Sequence, residues 1–116
     1  MGSLSGSAML DCGLLLLLAE RPDHGYSLRD RLEKFGLHIH DEPGVLYRRL
    51  HVLERRGLIE HCLHRSSRGP TRKVYSATAV GMAELDNQAS SLRDTFGIIR
   101  QWLIAHSDLI ADDVDR

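Results

Sequence analysis

The feature that most constrains this chain is a change of hydrophobic period at Gly57. Before it, Leu46, Leu50 and Leu53 recur in steps of four and three, the spacing of one helix face. After it, the segment from Leu58 to Arg65 reads as an extended strand, and Arg72 to Ala77 reads as a second, with Val74 and Tyr75 at its centre. Between them lies Ser66-Ser67-Arg68-Gly69-Pro70-Thr71, a cluster of turn formers. A helix running directly into two strands joined by a Gly/Pro/Ser loop demands a β-hairpin packed on helices.

Two helices are expected upstream. The first spans about Ala8 to Glu20 and is apolar on nearly every face, so it must be buried on more than one side. Arg21-Pro22-Asp23-His24-Gly25 breaks it, because proline disfavours helical geometry at the residue before it. The second spans Gly25 to Phe35, with Tyr26, Leu28, Leu32 and Phe35 read as its inward face and Arg29, Asp30, Glu33 and Lys34 as its outward one. Gly36 is placed to stop it. The third begins near Pro43, suited to a first-turn position, with Asp41 or Glu42 as its cap. Tyr47, Arg48, His51 and Arg55 fall off its leucine stripe.

Downstream, Thr78 caps a long last helix expected to reach about His106. Leu85, Ala89, Leu92, Phe96, Ile99 and Leu103 alternate steps of four and three, a coiled-coil type of seam. So small a domain cannot bury a seam of that length, so a second copy of the chain, or its first helix, is expected to cover it. The acidic end (Asp108, Asp112, Asp113, Asp115) is expected to fray. The resulting class is mainly α with a small β-hairpin: a winged helix-turn-helix over residues 8–77 and a dimerisation helix over 78–107. Residues 1–7 and 108–116 are read as flexible tails.

Composition decides what such a fold is for. A net charge of −1 over 116 residues argues against a nucleic-acid partner, but the distribution reverses that reading. Residues 48–73 hold Arg48, Arg49, Arg55, Arg56, Arg65, Arg68, Arg72 and Lys73 against Glu54 and Glu60, a net +6 that leaves −7 for the remainder. Basic charge concentrated on the third helix and hairpin, over an acidic body, is an electrostatic footprint for nucleic acid. A merely solvated charged face is the competing reading. In a winged helix one helix enters the major groove and the hairpin lies over backbone or minor groove. Arginine suits both tasks, because its planar fork pairs with phosphate or with guanine edges.

Other classes fare worse. No nucleophile elbow, Gly-rich phosphate loop or H-E-x-x-H motif is present, so no enzyme is read and no cofactor is called for. His38 with His40, and His61 with His64, lack the ligand spacing of a zinc site and are read as solvent-facing. The apolar run Leu14 to Ala19 is far short of the ~20 residues of a membrane span, and nothing basic precedes it as in a signal peptide. The chain is therefore read as cytoplasmic, with Cys12 and Cys62 reduced and serving as small apolar filler.

Read in order, Leu14-Leu15-Leu16-Leu17-Leu18-Ala19-Glu20, His24-Gly25-Tyr26, Pro43-Gly44-Val45-Leu46-Tyr47, Leu50, Leu53, Glu54 and Gly57-Leu58-Ile59 resemble the PadR-type regulators. The resemblance continues through Arg72-Lys73-Val74-Tyr75-Ser76-Ala77-Thr78 and Gly81, covering about residues 10–85. It implies a homodimer on a palindromic operator of double-stranded DNA, and usually repression relieved by a small phenolic, drug-like or metabolite effector. By position it implies that Tyr47 contacts backbone phosphate and that the amides around Gly44 face phosphate at a helix N-terminus. Arg48 and His51 are candidates for base edges, and Arg68, Arg72 and Lys73 for the wing. Val45 stands where the family often has a small hydroxyl residue, which removes one phosphate hydrogen bond. Leu92 stands where multidrug-binding members place a stacking Trp, so drug stacking there is not expected. Trp102, about three turns on, is read as dimer packing and Tyr26 as core. The competing function is a winged-helix interaction or ligand-sensing module that does not bind DNA directly.

Overall fold

The computed structural model describes residues 6–38, 43–65 and 67–114. The expected caps Asp41 and Glu42, together with His40, Ser66 and residues 1–5 and 115–116, lie outside the described residues. The element order is α1 (Gly6–Glu20), β1 (Asp23–His24), α2 (Gly25–Phe35), α3 (Pro43–Arg55), β2 (Ile59–His64), β3 (Arg72–Ala77) and α4 (Ala79–Val114). Two compact units divide it, Met1–Leu85 and Asp86–Arg116.

In the first unit the core is almost entirely aliphatic, as the scarcity of aromatics requires. Leu10, Leu14, Leu15, Leu17 and Leu18 of α1 are buried around most of its circumference, and Leu28 and Leu32 of α2 and Leu46, Leu50 and Leu53 of α3 close on them. Tyr75 is the one aromatic side chain in this core among the described residues.

Helices α2 and α3 end with the same device. Gly36 takes φ 101° and Gly57 φ 76°, the left-handed geometry that glycine adopts without steric cost. Gly36 N–H donates to the Glu33 carbonyl and Leu37 N–H to the Leu32 carbonyl. Gly57 N–H donates to the Glu54 carbonyl and Leu58 N–H to the Leu53 carbonyl, both at 3.0 Å. This is the paired closure of a Schellman motif, and its usual hydrophobic contact is supplied by buried Leu53 and Leu58. One residue thus converts the helical period of α3 into the strand period of β2.

The sheet has the order β1-β3-β2, all antiparallel. Strand β1, only two residues long, stands where the sequence predicts no more than a helix break. It pairs Asp23 with Tyr75 and His24 with Val74, which makes β3 the central strand. Strand β2 is buried only at Ile59. Leu63 is exposed, and so is Cys62, which therefore is not the apolar filler expected of it. Both cysteines are free.

Two residues of α2 are corrections. Tyr26 and Phe35 are exposed, not inward. Tyr26 lies about 200° around the helix from Leu28, on the opposite face. Phe35 shares the leucine face but is the last helical residue, beyond the reach of the core.

Helix α4 opens on Thr78 as expected. Its hydroxyl accepts from Gly81 N–H at 3.0 Å and donates to the Gly57 carbonyl at 2.6 Å. Gly81 is needed for a packing reason, since a Cβ there would overlap the Leu58 carbonyl oxygen. At its far end α4 continues to Val114, eight residues past the expected His106. The apolar repeat explains this, because Ile110 follows Leu103 at heptad spacing and carries the helix through the acidic segment.

Gly81→Ala is expected to destabilise the chain by about 1–3 kcal/mol, because backbone and not a flexible side chain opposes the new methyl. Gly97→Ala, with open space around the added carbon, is expected to gain about 0.5–1 kcal/mol. Urea unfolding of the two variants against the parent checks the contrast.

Candidate nucleic-acid interface

Helix α3 is held against α1 by an ion pair. Arg49 Nε donates to Asp11 Oδ1 at 2.8 Å, and its Nη2 to Oδ2 at 2.6 Å, a bidentate pair with Asp11 buried. Arg49 therefore leaves the surface charge to which the sequence assigned it. With Arg49 and the leucine stripe turned inward, Tyr47, Arg48 and His51 are exposed. Val45, the departure from the family pattern, is partly buried against the core. Gly44 is exposed in the first turn of α3, with open space around it.

The start of α2 is fixed by a second polar knot. Asp23 accepts from the Ser27 hydroxyl at 2.7 Å, from His24 N–H at 2.8 Å and from Arg31 Nη1 at 3.0 Å. Arg31 also donates to the Leu17 carbonyl and to Glu20, so one guanidinium ties the end of α1 to β1 and α2. Burial pushes the Asp23 carboxyl up, but the bonds from Ser27, His24 and Arg31, with the Arg31 charge, outweigh it and hold the group below its ordinary value.

These two anchors bring α3, the start of α2 and β3 around one groove of about 650 Å³. Tyr47 and His51 come from α3, Arg72 and Lys73 from β3, and His24, Gly25 and Tyr26 from the β1–α2 junction. The Tyr47 ring lies so close over Gly25 that a Cβ there would meet Cε1 at 2.7 Å. Tyr75 and Glu54 complete the lining. Burial first, and then Glu54 and Tyr47, push the Tyr75 phenol up from its ordinary 10.0, so it stays neutral. A second hollow, about 630 Å³, flanks the other side of α3 and is lined by Val45, Arg48, Arg49 and Val52 among others. Tyr47 and His51 line both hollows and form the ridge between them.

Of the residues singled out in the sequence, Tyr47, His51, Arg72 and Lys73 are brought together. Arg48 belongs to the second hollow, and Arg68 sits exposed in the hairpin turn. His24, Tyr26 and the Glu54–His61 pair were missed. His61 Nδ1 lies 2.9 and 2.5 Å from the two Glu54 carboxylate oxygens, joining β2 to the end of α3, and its ring tilts on Tyr75. His61 is thus not simply solvent-facing. The signal for His24 and Tyr26 was present in His24-Gly25-Tyr26, which carried resemblance but no assigned chemistry.

In the second unit, Phe96, Ile99 and Leu103 are exposed, as is Trp102, which stacks on His106 with centroids 5.3 Å apart. Ala89 and Leu92 are half-buried. No helix among the described residues is long and apolar enough to cross a membrane.

The model of the transcriptional regulator PadR-like family matches residues 14–87, which span all of α1 beyond its second turn, the groove and the start of α4. The chain belongs to this family. Among solved structures, a conserved protein of unknown function described as a potential transcriptional factor is 31% identical. The alignment covers 95% of this chain and 98% of that one, with a TM-score of 0.78. A PadR-like regulator from Bacillus cereus is 26% identical over 88% of this chain and 97% of its own, with a TM-score of 0.73. Bacillus subtilis PadR in complex with operator DNA shares the fold at 22% identity, covering 69% of this chain and 46% of that one, with a TM-score of 0.61. No curated protein matches the sequence. The PadR-like chain is therefore a winged helix of a transcriptional-regulator family, with α3 and the β2–β3 hairpin as helix and wing.

Asp23→Asn is expected to cost about 2 kcal/mol, since it leaves Arg31 with a lost charge partner in a part-buried site. The sign of the pH effect follows from the lowered carboxyl. Its stabilisation is present above the ordinary aspartate value of 3.8 and is lost as pH falls below it. Thermal unfolding between pH 3 and 7 should show a steeper acid loss in the parent than in the variant.

Proposed function

We propose that this chain is a sequence-specific DNA-binding transcriptional regulator, a repressor that acts in the cytoplasm as a homodimer on a palindromic operator. The observation that carries the reading is the shared face of α3 and β3, where Tyr47, His51, Arg72 and Lys73 border one groove and Arg48 the adjoining hollow. In this reading Arg48 and His51 meet base edges, Tyr47 and the Gly44 amides meet phosphate, and Arg68, Arg72 and Lys73 serve the wing. The operator-bound state of Bacillus subtilis PadR, a protein of the same fold, supports it.

The dimer is assigned to Leu85, Ala89, Leu92, Phe96, Ile99 and Leu103. Exposure of Phe96, Ile99 and Leu103 supports this, because contiguous apolar surface of that kind marks an interaction face. A small hydrophobic or aromatic effector is proposed to release the operator.

Selection from random DNA should return a palindrome with half-sites about one helical turn, or a multiple, apart. Arg48→Ala with Arg72→Ala should weaken binding at least tenfold and lower the dependence of log K on log salt by about two phosphate contacts or fewer. Unchanged affinity in the double variant would show a module that does not use this face for DNA. Sedimentation of the chain truncated before Leu92 should show a monomer where the full chain is a dimer; a truncated dimer would place the main interface elsewhere.

A further inference from the structure

His24 presents a hydrogen-bonding conflict that an outside acceptor resolves. Its Nδ1 accepts the Ser27 backbone N–H at 3.4 Å, which caps α2. A ring nitrogen that accepts carries no proton, so Nε2 of the imidazole carries one and is a donor. Arg72 Nη1 lies 3.4 Å from that same Nε2, and a guanidinium has donors only. Two donors therefore face one another across the groove, one from the β1–α2 junction and one from β3. Neither can bond to the other while the helix cap is intact.

An oxygen bearing negative charge satisfies both at once. Lys73 lines the same groove and adds a second cation, while Tyr26 and Tyr47 add phenol hydroxyls. Glu54, which lines the groove and would repel an anion, is engaged by His61. We propose that His24 Nε2–H and the Arg72 guanidinium together clamp one phosphoryl oxygen of the DNA backbone. This rests on the DNA-binding reading and adds His24 to it as a residue that holds the turn end of β3 and the start of α2 on the same phosphate. The role is positional, since a backbone contact fixes register and carries no sequence information directly.

The test begins without DNA. Long-range proton–nitrogen correlation spectra of the nitrogen-labelled full chain at pH 8 report the tautomer of His24. The Nε2–H form is expected, and an Nδ1–H form would overturn the clamp whatever the chain binds. Duplexes recovered by selection are then made with single neutral methylphosphonate linkages. His24→Asn keeps an N-cap side chain and its melting temperature should match the parent. One linkage per half-site should weaken the parent by about tenfold and His24→Asn or Arg72→Gln far less. Equal losses in parent and variants at every linkage would overturn the assignment to phosphate. If no duplex binds, the DNA reading itself fails, and titration with inorganic phosphate decides the clamp alone. A shift of His24 Nε2 that Arg72→Gln abolishes would support it, and an unmoved resonance would overturn it.

Discussion

The bidentate pair between Asp11 and Arg49 sets how α3 is rolled on α1, and the outer face depends on that roll. Leu46, Leu50 and Leu53 define a buried side, but leucines on a smooth apolar surface tolerate rotation and slippage. A two-pronged ion pair does not. With Arg49 pinned, Tyr47 and His51 lie about 160–200° around the helix, at the centre of the opposite face. The net stability gained is small, because desolvating a carboxylate and a guanidinium offsets most of their attraction. What the pair supplies is orientation, and losing Arg49 would leave Asp11 buried and unmatched.

The elements legible in the sequence were those specified locally. Gly36 and Gly57 stop helices because their own backbone geometry closes the last turn, and Thr78 caps because its own hydroxyl reaches Gly81. The features that escaped depend on partners distant in sequence. Strand β1 exists only because β3 offers it two residues of edge. Arg49 was counted as surface charge because nothing near it indicates that Asp11, 38 residues earlier, will claim it. Glu54 and His61 were read separately, although the Gly57 turn lays the first residues of β2 back beside the end of α3. Tyr26 is a different failure, since its angular position on α2 was readable and placed it opposite Leu28.

The basic segment is therefore smaller in effect than its formal charge and better organised. Asp11 neutralises Arg49, and His61 engages Glu54, which would otherwise oppose an anion within the groove. Arg55 and Arg56 sit exposed at the end of α3, where positive charge favours the helix dipole. What remains facing outward is a set of tyrosines, histidines and a few cations. Such a surface can combine charge attraction with directional hydrogen bonds.

Thr78 joins the fold at a point where length matters. Its hydroxyl spans from the Gly57 carbonyl to the Gly81 amide, and its own N–H reaches the Leu58 carbonyl. The chain between β3 and α4 is thus a fixed-length joint. One residue added or removed there would rotate α4 by about 100° about its axis and carry Gly81 away from the Leu58 carbonyl. In the hairpin turn, by contrast, every described residue, Arg65 and residues 67–71, is exposed. Divergence in length among relatives should therefore accumulate at the tip of the wing and be excluded from its base.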